Sequence, residues 1–109
     1  MKTLTILGLP CIVLCLALPA RAADADAAQA LAKKSNCMKC HSVSAKKEGP
    51  SFKDTAAKYK GQGDAEAKLV THLTTAPTIK VGGAEEKHTN VKSSDPAEIK
   101  NLVQWILAQ

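Results

Sequence analysis

The chain has 109 residues, room for one domain, with 45% apolar residues, 3% aromatic residues and a net charge of +5. Arg21 is the only arginine and the lysines are spread along the chain, a pattern of solvated surface that argues against a nucleic-acid binder. Phe52, Tyr59 and Trp105 are the only aromatics, so a domain this small needs an apolar group from outside the chain to complete its core.

Met1-Lys2 is a short charged start, Leu4 to Leu18 is an apolar run, and Ala20-Arg21-Ala22 ends in small-x-small form. This is the layout of a cleavable secretory signal over 1–22, which leaves a domain of 23–109 exported to the periplasm. Gly8 and Pro10 interrupt the run, which is also short for a membrane span, so no stable membrane insertion is expected after cleavage. Cys11 and Cys15 follow Pro10 and Leu14, not the small residue a lipoprotein cysteine needs, and are read as part of the leader. Beyond it, thirteen lysines face ten acidic residues, a mild positive excess suited to steering toward an acidic partner.

Four amphipathic helices follow in chain order. The first spans Asp26 to Lys34, with Ala28, Leu31 and Ala32 on one face, and stops at Ser35-Asn36. In the second, Ser51 to Lys60, the residues Phe52, Thr55, Ala56 and Tyr59 fall at i, i+3, i+4 and i+7 before Gly61 and Gly63. The third starts from Asp64 as N-cap and runs to Thr74, with Ala65, Leu69 and Leu73 inward. The fourth opens on Asp95-Pro96-Ala97-Glu98, an N-cap, a first-turn proline and a capping-box acid, and carries Ile99, Leu102, Val103, Ile106 and Leu107 as one stripe. No stretch alternates as a strand, so the fold class is all-α. Two long loops remain, His41 to Pro50 and Thr75 to Ser94, the second of a length that usually carries function.

The first long loop is entered through Cys37-Met38-Lys39-Cys40-His41. A thioredoxin-type pair would follow a strand, and none is expected here; a zinc site would need a fourth ligand, for which only His72 or His88 is available. A disulfide across two residues would stabilise little. Two cysteines on one turn can instead join the two vinyl groups of a haem, with the next imidazole placed on its iron. C-x-x-C-H is the specific signature of covalent c-type haem, and both the export signal and the missing apolar mass agree with it.

On these residues the chain resembles a small bacterial class I cytochrome c of the single-haem, short-chain type. The resemblance extends through Gly49-Pro50-Ser51-Phe52, Ala56-Ala57-Lys58-Tyr59, Lys60-Gly61 and the closing Leu102-Val103-Gln104-Trp105-Ile106-Leu107. It implies about four short helices wrapped around one covalent haem c per chain. Cys37 and Cys40 would form the thioethers, His41 would be the proximal iron ligand, and the Pro50 carbonyl would orient its ring. It also implies that the first and last helices cross, with Ala28 and Ala32 near Trp105, and that Trp105 packs at the haem.

The resemblance fails at one point. Relatives of this type take the sixth ligand from a methionine before the last helix, in a context rich in tryptophan and proline. Here Met38, between the two cysteines, is the only methionine after the leader, and it cannot reach the opposite face. The corresponding loop, Val81 to Val91, carries His88 instead, and bis-histidine iron with His88 distal is the expectation. The alternatives are an ordinary loop histidine beside Glu86 and Lys87, His72 as runner-up ligand although a half-exposed helical residue is its simpler reading, and Lys87 or Asn90 as weaker donors.

Three functions follow. The leading one is a monomeric, non-enzymatic single-electron carrier between redox protein partners, with low-spin iron at comparatively low potential, since methionine ligation raises it. Its contact surface would be the haem edge near Cys37 and Cys40, with Lys39, Lys46 and Lys47 around it. The second is a haem protein that binds or senses a small gaseous ligand at a displaceable distal position. The third, a thiol–disulfide protein, lacks its fold context.

Overall fold

The computed structural model describes residues 22–109. All but Ala22 of the leader, with Cys11 and Cys15, lies outside the described residues. The element order is α1 (Ala25–Lys34), a 3-10 turn (Cys37–Lys39), α2 (Phe52–Tyr59), α3 (Ala65–Thr74), β1 (Thr78–Val81), β2 (Ala84–Lys87) and α4 (Pro96–Leu107). The four helices fall where the apolar spacing puts them, and none of the described helices is long and apolar enough to cross a membrane.

Helix α4 is the axis of the fold: α1, α2 and α3 all pack on it, α1 most extensively. Its Leu102 and Val103 are wholly buried, and Ala28 and Ala32 of α1, each 1% exposed, lie in the same cluster as Trp105. Small side chains at that crossing let the two backbones approach, as the resemblance implied. Asn101 fixes the register of the crossing by accepting from the Asp24 amide at 2.8 Å and donating to the Asp24 carbonyl at 2.9 Å.

The helix starts show how far local chemistry was readable. Asp24 and Ser51 cap α1 and α2 through side-chain bonds to Ala27 N and Asp54 N. Asp64 occupies the N-cap position of α3 without a capping bond, because its carboxylate is drawn to Lys68 at 3.0 Å. At α4, Asp95 accepts from Ala97 N, but Glu98 does not return to the cap amide. Ser93 intervenes, its hydroxyl donating to Glu98 at 2.6 Å and accepting from Asp95 N at 3.1 Å.

The loop from Thr75 to Ser94 departs from the expectation of an unstructured connection. Its centre is an antiparallel hairpin with Thr78 opposite Lys87 and Val81 opposite Ala84. Gly82 and Gly83 make the two-residue turn with φ of +57° and +89°, the left-handed pair that a primed hairpin turn needs. The four-residue strands are too short to reveal alternation, and β2 is exposed throughout; the Gly-Gly pair was the readable signal.

Candidate functional site

The cysteine pair sits on the 3-10 turn after α1. Asn36, in the left-handed region at φ +59°, stops the helix and starts the turn. The amides of Cys40 and His41 both donate to the Cys37 carbonyl, which places both thiols and the imidazole on one turn. The two sulfurs are not bonded to each other. Burial pushes the Cys37 thiol above its ordinary pKa, and a hydrogen bond to Glu48 does the same for Cys40, followed by burial and the Glu48 charge. A thiol–disulfide catalyst needs the opposite, a thiolate stabilised near neutral pH.

His41 is held from three sides. Its Nδ1 stands 2.7 Å from the Pro50 carbonyl oxygen; a carbonyl only accepts, so Nδ1 is the donor of this bond. Phe52 stacks on the ring at 5.5 Å and 22°, and Trp105 meets Phe52 edge-on at 5.5 Å. Gly49 lies so close that a Cβ there would fall 2.5 Å from Cε1 of the ring. The loop returns to this position because the amides of Gly49 and Phe52 donate to the Cys40 and Ser42 carbonyls.

Across a cavity of about 470 Å³ stands His88. It follows β2 directly, with its amide bonded to the Pro77 carbonyl at 2.9 Å, and its ring centre is 6.3 Å from that of His41. His72, from α3, is in the same place, its ring centre 4.4 Å from that of His88. It is half-exposed, as its helical position suggested, and also lines the cavity. Burial pushes both His72 and His88 below the ordinary histidine value, with neighbouring positive charge adding to it and the Thr89 backbone opposing it at His88. His88 Nδ1 is buried and has no hydrogen-bond partner.

The apolar walls of the cavity come from Phe52, Leu69, Leu73 and Ile106, with Ile79 and Val81 from β1. Trp105 does not line it and reaches the site through Phe52. Among the described residues no group of three or more His, Cys, Asp or Glu side chains converges as an ion cage, which leaves the zinc alternative without a site. The sequence reading missed Gly49, Ile79 and Val81 as site residues. Only the Gly49-Pro50 pair before a helix start gave a local hint.

A thiol pair on one turn, a hydrogen-bonded histidine beside it and an apolar cavity walled by α2, α3, α4 and the hairpin define a c-type haem protein. The chain belongs to the cytochrome c family, whose model matches residues 25–109, and is a small class I cytochrome c with covalently attached haem c. It is similar to cytochrome c-552 of Nitrosomonas europaea, with 44% identity over 78% of this chain and 77% of that protein. Cytochrome c-551 of Pseudomonas aeruginosa is 36% identical over 83% of this chain and 84% of its own length. The crystal structure of the class 1 cytochrome MtoD from Sideroxydans lithotrophicus ES-1 superposes with a TM-score of 0.77 at 50% identity, over 80% of this chain and 97% of that one. A redox-carrier role and redox protein partners follow from this family.

Proposed function

We propose that the chain is an exported, periplasmic single-electron carrier whose haem iron is held between His41 and His88. The single observation that carries this is the distance between the two rings, which line one cavity. Metal–imidazole bonds of about 2 Å and ring radii of about 1 Å on each side would separate the ring centres by about 6 Å, and they stand at 6.3 Å. His88 Nδ1 supports the reading too, because burying an unpartnered ring nitrogen is costly unless something outside the chain offsets it.

In this reading Cys37 and Cys40 hold the haem covalently, and Pro50 fixes the His41 ring with Nε2 toward the cavity. Phe52 forms the wall behind His41, and Trp105 supports that wall. The bound haem supplies a one-electron ferric–ferrous couple. An imidazole in place of a methionine sulfur lowers the potential of that couple relative to methionine-ligated cytochromes. Residues 1–22 serve as the cleaved export signal.

Absorption spectra of the ferric and ferrous protein, with and without carbon monoxide, test this. Low-spin spectra unmoved by carbon monoxide are expected; a high-spin ferric spectrum or ready carbon monoxide binding would sink the His88 assignment. The second reading, binding of a small gas at the distal position, is favoured by His72, whose ring centre lies 4.4 Å from that of His88 and brings a second polar side chain to that position. Ready carbon monoxide binding is its expected result.

A further inference from the structure

The β1–β2 hairpin is not explained by ligation alone. His88 lies at its base, and a two-residue turn between Pro77 and His88 would have joined the same points. Ten residues are spent instead on a ribbon whose strands pair with each other and on which, among the described residues, no helix packs broadly. Exposure alternates along β1, with Thr78 and Lys80 exposed and Ile79 and Val81 half-buried. Both half-buried residues line the cavity, where the hairpin also places Lys80, Glu86 and Lys87, yet neither belongs to the hydrophobic core nor to the partly buried side chains packed against it. Their apolar surface is turned to the cavity, so only an occupant of the cavity completes its burial. Thr78 and Glu85 are exposed and do not line it.

We propose that Ile79 and Val81 raise the reduction potential of this cytochrome: within a hairpin whose other lining residues, Lys80, Glu86 and Lys87, are charged, these two side chains form an apolar cover that limits the access of water to the haem. The proposal rests on the haem-carrier reading above. Water and polar groups favour the more highly charged ferric state, and an apolar shell disfavours it. The cover therefore acts against the second imidazole, raising the potential that imidazole ligation lowers. Two levers of opposite sign on one short segment, β1 and His88, would place the potential between those of an exposed bis-histidine haem and a buried methionine-ligated one.

The test uses the haem-loaded protein with Ile79→Ser and Val81→Ser, and Ala84→Ser as the control, at an exposed hairpin position that does not line the cavity. A third variant replaces 78–87 with Gly-Gly; the His88 amide already donates to the Pro77 carbonyl, the next rung of the ladder, so a primed turn can close there. Haem content and spin state are measured first, then the ferric-to-ferrous ratio at the midpoint potential of the parent. The Ile79 and Val81 variants and the hairpin-less protein should stay low-spin. Their ratio should rise about tenfold, which is about 59 mV for a one-electron couple, while Ala84→Ser leaves it unchanged. Low-spin Ile79 and Val81 variants with the parental ratio would overturn the inference. If these two variants fail to fold, the hairpin-less protein decides: a low-spin spectrum with a raised ratio supports the cover. A parental ratio, or a high-spin spectrum showing that the hairpin serves only to hold His88, overturns it. A parent protein that is itself high-spin would instead overturn the ligand assignment and leave the effect of the cover on the ratio measurable.

Discussion

Gly49 touches the imidazole of His41: an added Cβ would lie 2.5 Å from Cε1 and 2.9 Å from Nδ1. The second figure matters most, because Nδ1 is the atom that donates to the Pro50 carbonyl. A methyl group there must move the ring, break its hydrogen bond or push the loop away. Gly49→Ala should cost about 1 to 3 kcal/mol, the usual range for forced overpacking, seen as a lower Tm of the haem-loaded protein. It should also shift the visible spectrum, since the ring that moves is the proposed proximal ligand. An unchanged Tm and spectrum would mean that the loop yields freely and that the Pro50 bond does not fix the ring.

The three histidines of the chain line one cavity, and the proposed reading gives them different roles. The ring of His88, not that of His72, is the one 6.3 Å from His41, while His72 backs His88 at 4.4 Å. His88→Ala should turn a low-spin ferric spectrum high-spin and allow carbon monoxide to bind the ferrous protein. His72→Ala should remain low-spin. The reverse pattern would transfer the distal position to His72, which reaches the cavity from the more rigid helix.

The proximal half of this site was legible because its chemistry is local. Two cysteines and a histidine within five positions define one turn whatever surrounds them, and Asp95-Pro96 starts a helix by chain geometry alone. The distal half depends on contacts distant in sequence. Whether His72 faces the cavity is decided by how α3 rolls on α4, which the pattern of Ala65, Leu69 and Leu73 fixes only coarsely. Strand β1 needs β2 to exist, and β2, Ala84–Lys87, carries no apolar alternation to announce itself. The capping of α4 was half readable: Asp95 behaves as its type predicts, while Glu98 is diverted by Ser93, a neighbour that the capping-box pattern does not include.

The α1–α4 crossing gives a stability prediction independent of the haem ligands. Ala28 and Ala32 are each 1% exposed against α4, so larger side chains have nowhere to go. Ala32→Leu should destabilise by about 1 to 3 kcal/mol through overpacking, read as a lower denaturant midpoint with an unchanged low-spin spectrum. Gln29, on the same helix but exposed, is the control. Gln29→Leu adds an apolar side chain where there is room for it and should change stability by less than about 0.5 kcal/mol, as surface substitutions usually do. Equal losses at positions 29 and 32 would contradict the tight crossing.

Asn90 braces the stem that carries His88. Its Oδ1 accepts from the amide of Ala76 at 2.7 Å, and Ala76 sits in the left-handed region at φ +45°, where the chain leaves α3 for the hairpin. Holding a non-glycine residue there costs roughly 1 to 2 kcal/mol, and the Asn90 bond is one of the contacts that offset it. Asn90→Ala should lose about 1 kcal/mol, the typical net value of one hydrogen bond, and should speed amide exchange at Ala76 and His88 while leaving α1 and α4 unaffected. Adding Ala76→Gly to that variant removes the side-chain strain and should recover part of the loss, although glycine also loosens the unfolded chain by about 0.4 to 1 kcal/mol. If Asn90→Ala leaves exchange at His88 unchanged, the ladder bond to Pro77 and the bond from Val91 to the Leu73 carbonyl suffice to hold the distal stem, and Asn90 is dispensable there.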